Sequence, residues 1–188
     1  MTRNFEAILI EQCAPALAGM KPANLFRYQA KEQFTFRQEL LRVAREVAPF
    51  GLAIRILKTC PQTGASLIYV YRAQWLRRIL AEPEHLEFLQ KNGYKAERGC
   101  SGLLEQLSGR LCLEQDFPHE IGVFLGYPLE DVIGFIEHRG RNYTCCGHWK
   151  AYGDPEEAQR RFDAYRQCTA AYAERFRNGG TITQLIAA

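Results

Sequence analysis

Residues 52–72 of the chain read LAIRILKTCPQTGASLIYVYR, and this stretch decides the fold class. Residues 52–58 and 66–72 are rich in β-branched and aromatic side chains, which favour strands. Residues 59–65 contain Pro61 and Gly64 and are short enough for a hairpin loop. In residues 66–72, apolar side chains point to both faces of the strand, which indicates that the strand is covered on both sides. The stretch therefore predicts an antiparallel β-hairpin.

Helical patterns precede and follow this hairpin. Phe36, Leu40 and Val43 form one apolar stripe, and Pro49 and Gly51 end it, which predicts a helix before the hairpin. Further helices are predicted over 4–12, 73–81, 83–92 and 101–111, after Pro118 and Pro128, and from Pro155 to 177. Alternation over 142–152 predicts a third strand. The pattern as a whole predicts one α+β domain over residues 1–188, with a small, mainly antiparallel sheet packed with several helices.

Composition excludes several classes of protein. The chain has 188 residues, 47% hydrophobic and 24% charged, which is ordinary for a globular protein. No apolar run approaches the roughly 20 residues of a membrane helix, so we expect no membrane partner. The net charge of +3 is spread over the chain without a recognisable binding motif, so we expect no nucleic-acid partner. The first residues lack the apolar core of a secretory signal, and we expect a cytoplasmic protein. Composition does not define the oligomeric state.

Seven cysteines are scattered along the chain, and only Cys145 and Cys146 lie close together in sequence. A disulfide framework is not expected in a cytoplasmic chain of this length. Cys145, Cys146 and His148 lack the ligand spacing of common zinc sites, so ordinary packing is favoured over a metal centre. We assign no metal ligands and identify no cofactor.

The stretch from Phe117 to Val132 is the best candidate for chemistry. His119 and Glu120 are predicted in the first turn of a helix begun by Pro118, where free backbone N–H groups attract a negatively charged group. An imidazole at that position suits proton transfer. The alternative is structural, with Glu120 stabilising the helix dipole. Tyr127, between Gly126 and Pro128, is predicted to line the same cleft.

The stretch from Cys13 to Phe26 is predicted to be rich in loops. Pro15 disfavours helix at the preceding residue, so the first helix should stop near Cys13. A loop cysteine close to Lys21 would have a stabilised thiolate, which predicts a reactive thiol at Cys13. Burial of Cys13 as a small packing residue is the alternative.

Four segments of the chain carry a family resemblance. They are the run CAPALAGMKPANLF at residues 13–26, LIYVYR at 67–72, the stretch from Phe117 to Asp131, and WKAYGD at 149–154. In these the chain resembles a bacterial family catalogued as domain of unknown function 3793, over nearly its whole length. The resemblance implies no activity and no cofactor. It marks as motif positions Cys13, Lys21, Asn24, Arg72, His119, Glu120, Tyr127, Trp149 and Lys150.

These patterns lead to one main functional hypothesis with two alternatives. The main hypothesis is a cytoplasmic small-molecule site for an anionic ligand, in an enzyme or a binding protein, built from the Cys13–Asn24 loop and the His119–Glu120 helix start. The first alternative is a non-enzymatic binding or regulatory protein. The second is a metal or cluster held by cysteines. In the main hypothesis the catalytic residues are Cys13, His119 and Glu120, and the ligand contacts are Lys21, Asn24, Arg72, Tyr127, Trp149 and Lys150.

Overall fold

The computed structural model describes residues 5–113 and 116–187 and contains two compact units. Unit 1 comprises Met1–Gln74 and Tyr165–Ala188, and unit 2 comprises Trp75–Ala164. The described residues contain helices and two small antiparallel sheets, which confirms the α+β class. A single domain over the whole chain stays a prediction.

Unit 1 contains a three-stranded sheet with the order β1-β3-β2. Strands β2 (Leu52–Thr59) and β3 (Ser66–Arg72) pair antiparallel, which confirms the predicted hairpin. Their register shifts between Ile56 and Lys58, which marks a bulge in β2. Strand β1 (Ala23–Tyr28) pairs antiparallel with the other edge of β3, so β3 is central.

The third strand of this sheet was predicted over 142–152, and that position is wrong. Those residues instead form a two-stranded sheet of their own in unit 2, from β4 (Cys145–Cys146) and β5 (Lys150–Ala151). Left-handed backbone at Arg139, Gly140 and Asn142 precedes it, and such conformations do not occur in a regular strand.

The prediction of a loop from Cys13 to Phe26 is also wrong at both ends, because regular structure covers the first and the last residues of this stretch. Helix α1 (Phe5–Leu17) continues through Pro15, and β1 begins at Ala23. The guanidinium of Arg72 donates hydrogen bonds to the carbonyls of Ala16, at 2.8 Å, and Leu17, at 2.6 Å. These bonds satisfy carbonyl groups at the end of α1 that have no partner within the helix. Contacts with β3 therefore extend the helix past the point where local sequence disfavours it.

The core of unit 1 lies between the sheet and its helices. Helices α2 (Gln33–Val47) and α9 (Ile182–Ile186) pack with α1 around it. A short 3₁₀ turn, Ala48–Phe50, leads from α2 into β2. The core consists of fully or almost fully buried apolar side chains: Phe5, Leu9, Ile10, Cys13, Leu17, Phe26, Phe36, Val43, Val47, Leu52, Ile68, Val70, Ile182 and Leu185.

Unit 2 is mainly helical. Its elements are the greater part of α3 (Ala73–Ile79), α4 (Pro83–Lys91), a 3₁₀ turn (Ala96–Arg98), α5 (Gly99–Leu113), α6 (Ile121–Phe124), α7 (Leu129–Glu137), β4, β5 and the start of α8 (Pro155–Arg177). Residues 165–177 of α8 belong to unit 1. Within the described ranges, no helix has the length and apolar character needed to cross a membrane.

Candidate functional site

A buried carboxylate in α7 fixes the hairpin formed by β4 and β5. The side chain of Asp131 is 4% exposed. Its Oδ2 accepts a hydrogen bond from Nε1 of Trp149 at 2.7 Å. Its Oδ1 accepts from the backbone N–H groups of Tyr152 at 2.6 Å and Gly153 at 3.1 Å. A carboxylate buried in this way is stabilised by its donors, and it holds the hairpin against the start of α7.

Two aromatic rings hold the indole of Trp149. Tyr127 stacks on it with ring centroids 4.9 Å apart, and Phe162 meets it edge-on at 4.6 Å. Gly147 lets the hairpin approach Phe162 closely, because a Cβ atom there would lie 2.3 Å from that ring. The hydrogen bond to Asp131 and the contacts with these rings hold Trp149 in place, as a preorganised binding surface requires.

Beside Trp149 lies a cleft with a volume of about 160 Å³, which we call the Trp149 cleft. Its lining residues all belong to unit 2: Pro128, Glu130, Asp131, Trp149, Ala151, Gly153, Asp154, Glu157, Ala158 and Arg161. Four of them are acidic and one is basic, so the formal charge of the lining is −3. The cleft combines an aromatic surface with negative charge, which suits a positively charged ligand.

Three of the four acidic side chains in the cleft already have partners. Asp131 holds the hairpin, Asp154 accepts hydrogen bonds from the first backbone N–H groups of α8, and Glu157 pairs with Arg161. Glu130 is exposed, and its carboxylate forms no hydrogen bond or ion pair with the described residues. Glu130 is therefore the acid in this cleft that is available to a ligand.

Glu120, predicted to be catalytic, lies buried in an ion pair. It is 6% exposed, and its carboxylate accepts hydrogen bonds from Tyr94 Oη and from the guanidinium of Arg110, both at 3.0 Å. Arg110 also donates to the carbonyl of Asn92 and lies over the Tyr94 ring, 4.4 Å from its centroid. Such a buried ion pair joins α5 to the turn before α6.

The first three N–H groups of α6 have partners in the turn that begins at Pro118. Helix α6 has only residues Ile121–Phe124. The N–H groups of Ile121, Gly122 and Val123 already donate to the carbonyls of the preceding turn, at 3.0–3.2 Å. A tight turn at residues 118–120 satisfies these three donors, and an anion site at this helix start stays a prediction.

The other predicted residues of unit 2 lie around one phenyl ring. The exposed imidazole of His119 packs against Phe135, with ring centroids 4.8 Å apart. Lys150 Nζ lies 6.0 Å from the centroid of the same ring and 4.8 Å from that of Tyr143. It also donates a hydrogen bond to the Gly140 carbonyl at 2.7 Å. The structure thus places His119 and Lys150 against Phe135.

In unit 1, Cys13 and Lys21 are buried in or beside the core. Cys13 is fully buried, and desolvation raises the pKa of its thiol, against a smaller lowering by the charge of Lys21. Burial lowers the pKa of Lys21 to about 8, and its Nζ lies 5.9 Å from the centroid of the Tyr165 ring. A neutral, inaccessible thiol is a poor nucleophile, so the loop position that motivated a reactive Cys13 is wrong.

Asn24 and Arg72 also lie in unit 1. The buried Oδ1 of Asn24 has no hydrogen-bond partner among the described residues. Arg72 donates hydrogen bonds to the last carbonyl groups of α1, as described above. The structure therefore groups Cys13, Lys21, Asn24 and Arg72 in unit 1, and His119, Glu120, Tyr127, Trp149 and Lys150 in unit 2.

Sequence reasoning missed Asp131 and Glu130. Both lie in the first turn of α7, where an acidic residue is already explained by the helix dipole. No spacing in the sequence connects them to Trp149. As for a metal centre, residues 5–113 and 116–187 contain no group of three or more His, Cys, Asp or Glu side chains placed to hold an ion.

The loop between β2 and β3 contains Cys60, whose thiol is surrounded by hydrogen-bond donors. Hydrogen bonds from the Thr63 hydroxyl and from the backbone of Thr63 and Gln62 lower its pKa. In its neutral form the thiol donates to Gln62 Oε1 at 3.5 Å, but the donors around it favour the thiolate.

We therefore expect iodoacetamide to modify Cys60 first and Cys13 last in the native protein. The thiolate is the reacting species, so a lowered pKa and exposure both raise the rate. Peptide mass spectrometry after short labelling times gives the rates, with the exposed Cys112 as the internal reference. Labelling of Cys13 at the rate of Cys112 without denaturant would contradict the burial of Cys13.

Comparison with known proteins identifies the class of the chain. A family model described as protein of unknown function (DUF3793) matches residues 9–186. The chain belongs to this family, which confirms the resemblance seen in its motifs. No curated protein and no solved structure matches it.

Proposed function

We propose that this protein binds a small organic cation, such as an amine in its ammonium form, in the Trp149 cleft. The observation that carries the proposal is the fixed indole beside the available carboxylate of Glu130 in a cleft of about 160 Å³. An ammonium group is attracted both to a carboxylate and to the face of an indole ring. The cleft is large enough only for a small ligand or for one end of a larger one.

The proposal keeps the small-molecule site expected from the sequence and changes the charge of its ligand. An anion was expected because of free N–H groups near His119, but the N–H groups of Ile121, Gly122 and Val123 donate to carbonyls of the preceding turn. The acidic lining of the Trp149 cleft repels an anion. Whether the ligand is only bound or also converted is decided by assay of the bound compound for turnover.

The test is calorimetric titration with tetramethylammonium and ethylenediamine, with acetate as the anionic comparison. We expect saturable binding of a cation and none of acetate. Glu130→Gln should weaken cation binding about tenfold, because it removes one charge–charge contact of roughly 1–2 kcal/mol. Glu137→Gln is the matched control, since Glu137 is an exposed acid at the end of the same helix and does not line the cleft. Equal affinity of the two variants would refute the proposal.

A second candidate is a proton-transfer site for an anionic ligand at His119. It is favoured by the Phe135 ring, against which both the imidazole of His119 and the ammonium of Lys150 pack. An exposed imidazole is able to transfer a proton, and an ammonium group attracts an anion. Binding of acetate or phosphate that is lost in His119→Ala and kept in Glu130→Gln would favour this candidate over the first.

A further inference from the structure

The two adjacent cysteines of β4 have different surroundings. Cys145 is half-buried against the small core formed by Ala151, Ala158 and Phe162, and its Sγ lies 3.7 Å from Gln159 Oε1. Cys146 is exposed. Successive side chains of a strand point to opposite faces, so the two thiols are on opposite sides of β4. The Cys146 thiol is open to a reagent, and the Cys145 thiol is half-buried on the other side of the strand.

A disulfide between these neighbours does not fit the present backbone. Adjacent Cα atoms are about 3.8 Å apart across a trans peptide. Disulfides ordinarily join Cα atoms that are about 4.4–6.8 Å apart. Bringing the two sulfur atoms to one side therefore requires β4 to leave its strand conformation.

A change of conformation in β4 acts directly on Trp149. Cys145 pairs with Ala151 and Cys146 pairs with Lys150 across the hairpin. The N–H of Gly147 donates to the carbonyl of Trp149 at 3.0 Å. The close contact of Gly147 with Phe162 leaves no room for the turn to move inward. Distortion of β4 is therefore expected to break the contacts of the indole with Asp131 and Tyr127.

We propose that Cys145 and Cys146 form a thiol–disulfide exchange site that takes a low-molecular-weight disulfide. The Cys146 thiolate attacks one sulfur of the disulfide and releases one thiol, which leaves a mixed disulfide on Cys146. The Cys145 thiolate then attacks Cys146 Sγ and releases the second thiol. Two electrons pass from the cysteine pair to the disulfide, each cysteine loses one proton, and two small thiols are formed.

The product is a protein with a disulfide between Cys145 and Cys146. In this oxidised protein, Trp149 is released from its contacts. This inference goes beyond ligand binding and does not depend on it, because the exchange and the change at Trp149 need no occupant of the cleft. An excess of a small thiol, such as the one released in the forward reaction, reverses both steps.

The experiment treats the full chain with oxidised glutathione and follows both mass and tryptophan emission. The chain has two tryptophans, so the Trp75→Phe background leaves Trp149 as the reporter. Cys60→Ser and Cys112→Ser remove other accessible thiols from this background. We expect a product that has lost two hydrogen atoms, mapped to Cys145–Cys146, together with a shift of Trp149 emission to longer wavelength.

Two variants separate the steps. Cys145→Ser should stop at the mixed disulfide on Cys146, because no neighbouring thiol resolves it, and its emission should stay unshifted. Cys146→Ser should remain unmodified at Cys145 during the time in which the chain with both thiols forms its disulfide. A stable mixed disulfide in the chain that keeps both thiols, or a disulfide formed without any change in emission, would overturn the proposal.

Discussion

Asp131→Ala is expected to lower the free energy of unfolding by about 3–5 kcal/mol. It leaves three donors without an acceptor, the indole N–H of Trp149 and the backbone N–H groups of Tyr152 and Gly153. A buried donor left without a partner costs roughly 1–3 kcal/mol, and these three are part-buried, so each is expected toward the lower end of that range. Urea unfolding followed by Trp149 emission, in the Trp75→Phe background, measures this loss.

Asp131→Asn should cost clearly less than Asp131→Ala. The side-chain oxygen of asparagine still accepts from the N–H groups of Tyr152 and Gly153. Only the indole N–H loses its acceptor, because it then faces the NH₂ group. Glu137→Ala, on the exposed face of the same helix, is the control and should stay within about 0.5 kcal/mol of the unsubstituted chain. If Asp131→Ala were as stable as the control, contacts other than those of Asp131 would hold the hairpin of β4 and β5, and the prediction would be wrong.

Arg110→Met is expected to cost about 2–4 kcal/mol of stability. The substitution leaves the carboxylate of Glu120 buried without its ion-pair partner, and breaking a buried pair on one side is strongly destabilising. The Arg110 side chain is 25% exposed, so solvent screening places the effect below that of a fully buried pair. Thermal unfolding of the variant gives the measured shift in midpoint.

Two further variants make this second prediction specific. Adding Glu120→Gln to Arg110→Met should restore part of the stability, because the orphaned charge is removed. His119→Ala, at the neighbouring exposed position, should leave the midpoint nearly unchanged. A large drop for His119→Ala together with a small one for Arg110→Met would reverse the roles assigned to these neighbours.

The sequence predicts the hairpin of β2 and β3 well because its information is local. The strand-forming residues and the turn residues lie within 52–72, so no distant contact is needed to pair the two strands. The same holds for α8, which starts at Pro155 as its acidic first turn indicates.

Strand β1 and the end of α1 depend on distant contacts and were therefore missed. Ala23–Tyr28 follows Pro22 and becomes a strand by pairing with β3, far along the chain. Helix α1 continues past Pro15 because the guanidinium of Arg72 satisfies its terminal carbonyls. Local propensity gives way to tertiary packing at both positions.

The candidate site was only partly predictable for the same reason. Tyr127 and Trp149 were identified from motif resemblance, and the structure stacks them together. Asp131, which holds Trp149, has no signal of its own in the sequence. Cys13 and Lys21 were predicted as motif positions from a loop, but burial gives them surroundings that a loop would not.

The most direct test of a cation site in unit 2 is the indole N–H resonance of Trp149 in a ¹⁵N-labelled protein. Trp75→Phe assigns the signal, because the chain has only these two tryptophans. Titration with tetramethylammonium should shift the Trp149 resonance to saturation in the unsubstituted chain and in Glu137→Gln, and much less in Glu130→Gln. A resonance that does not move, or that moves equally in both variants, would contradict the site.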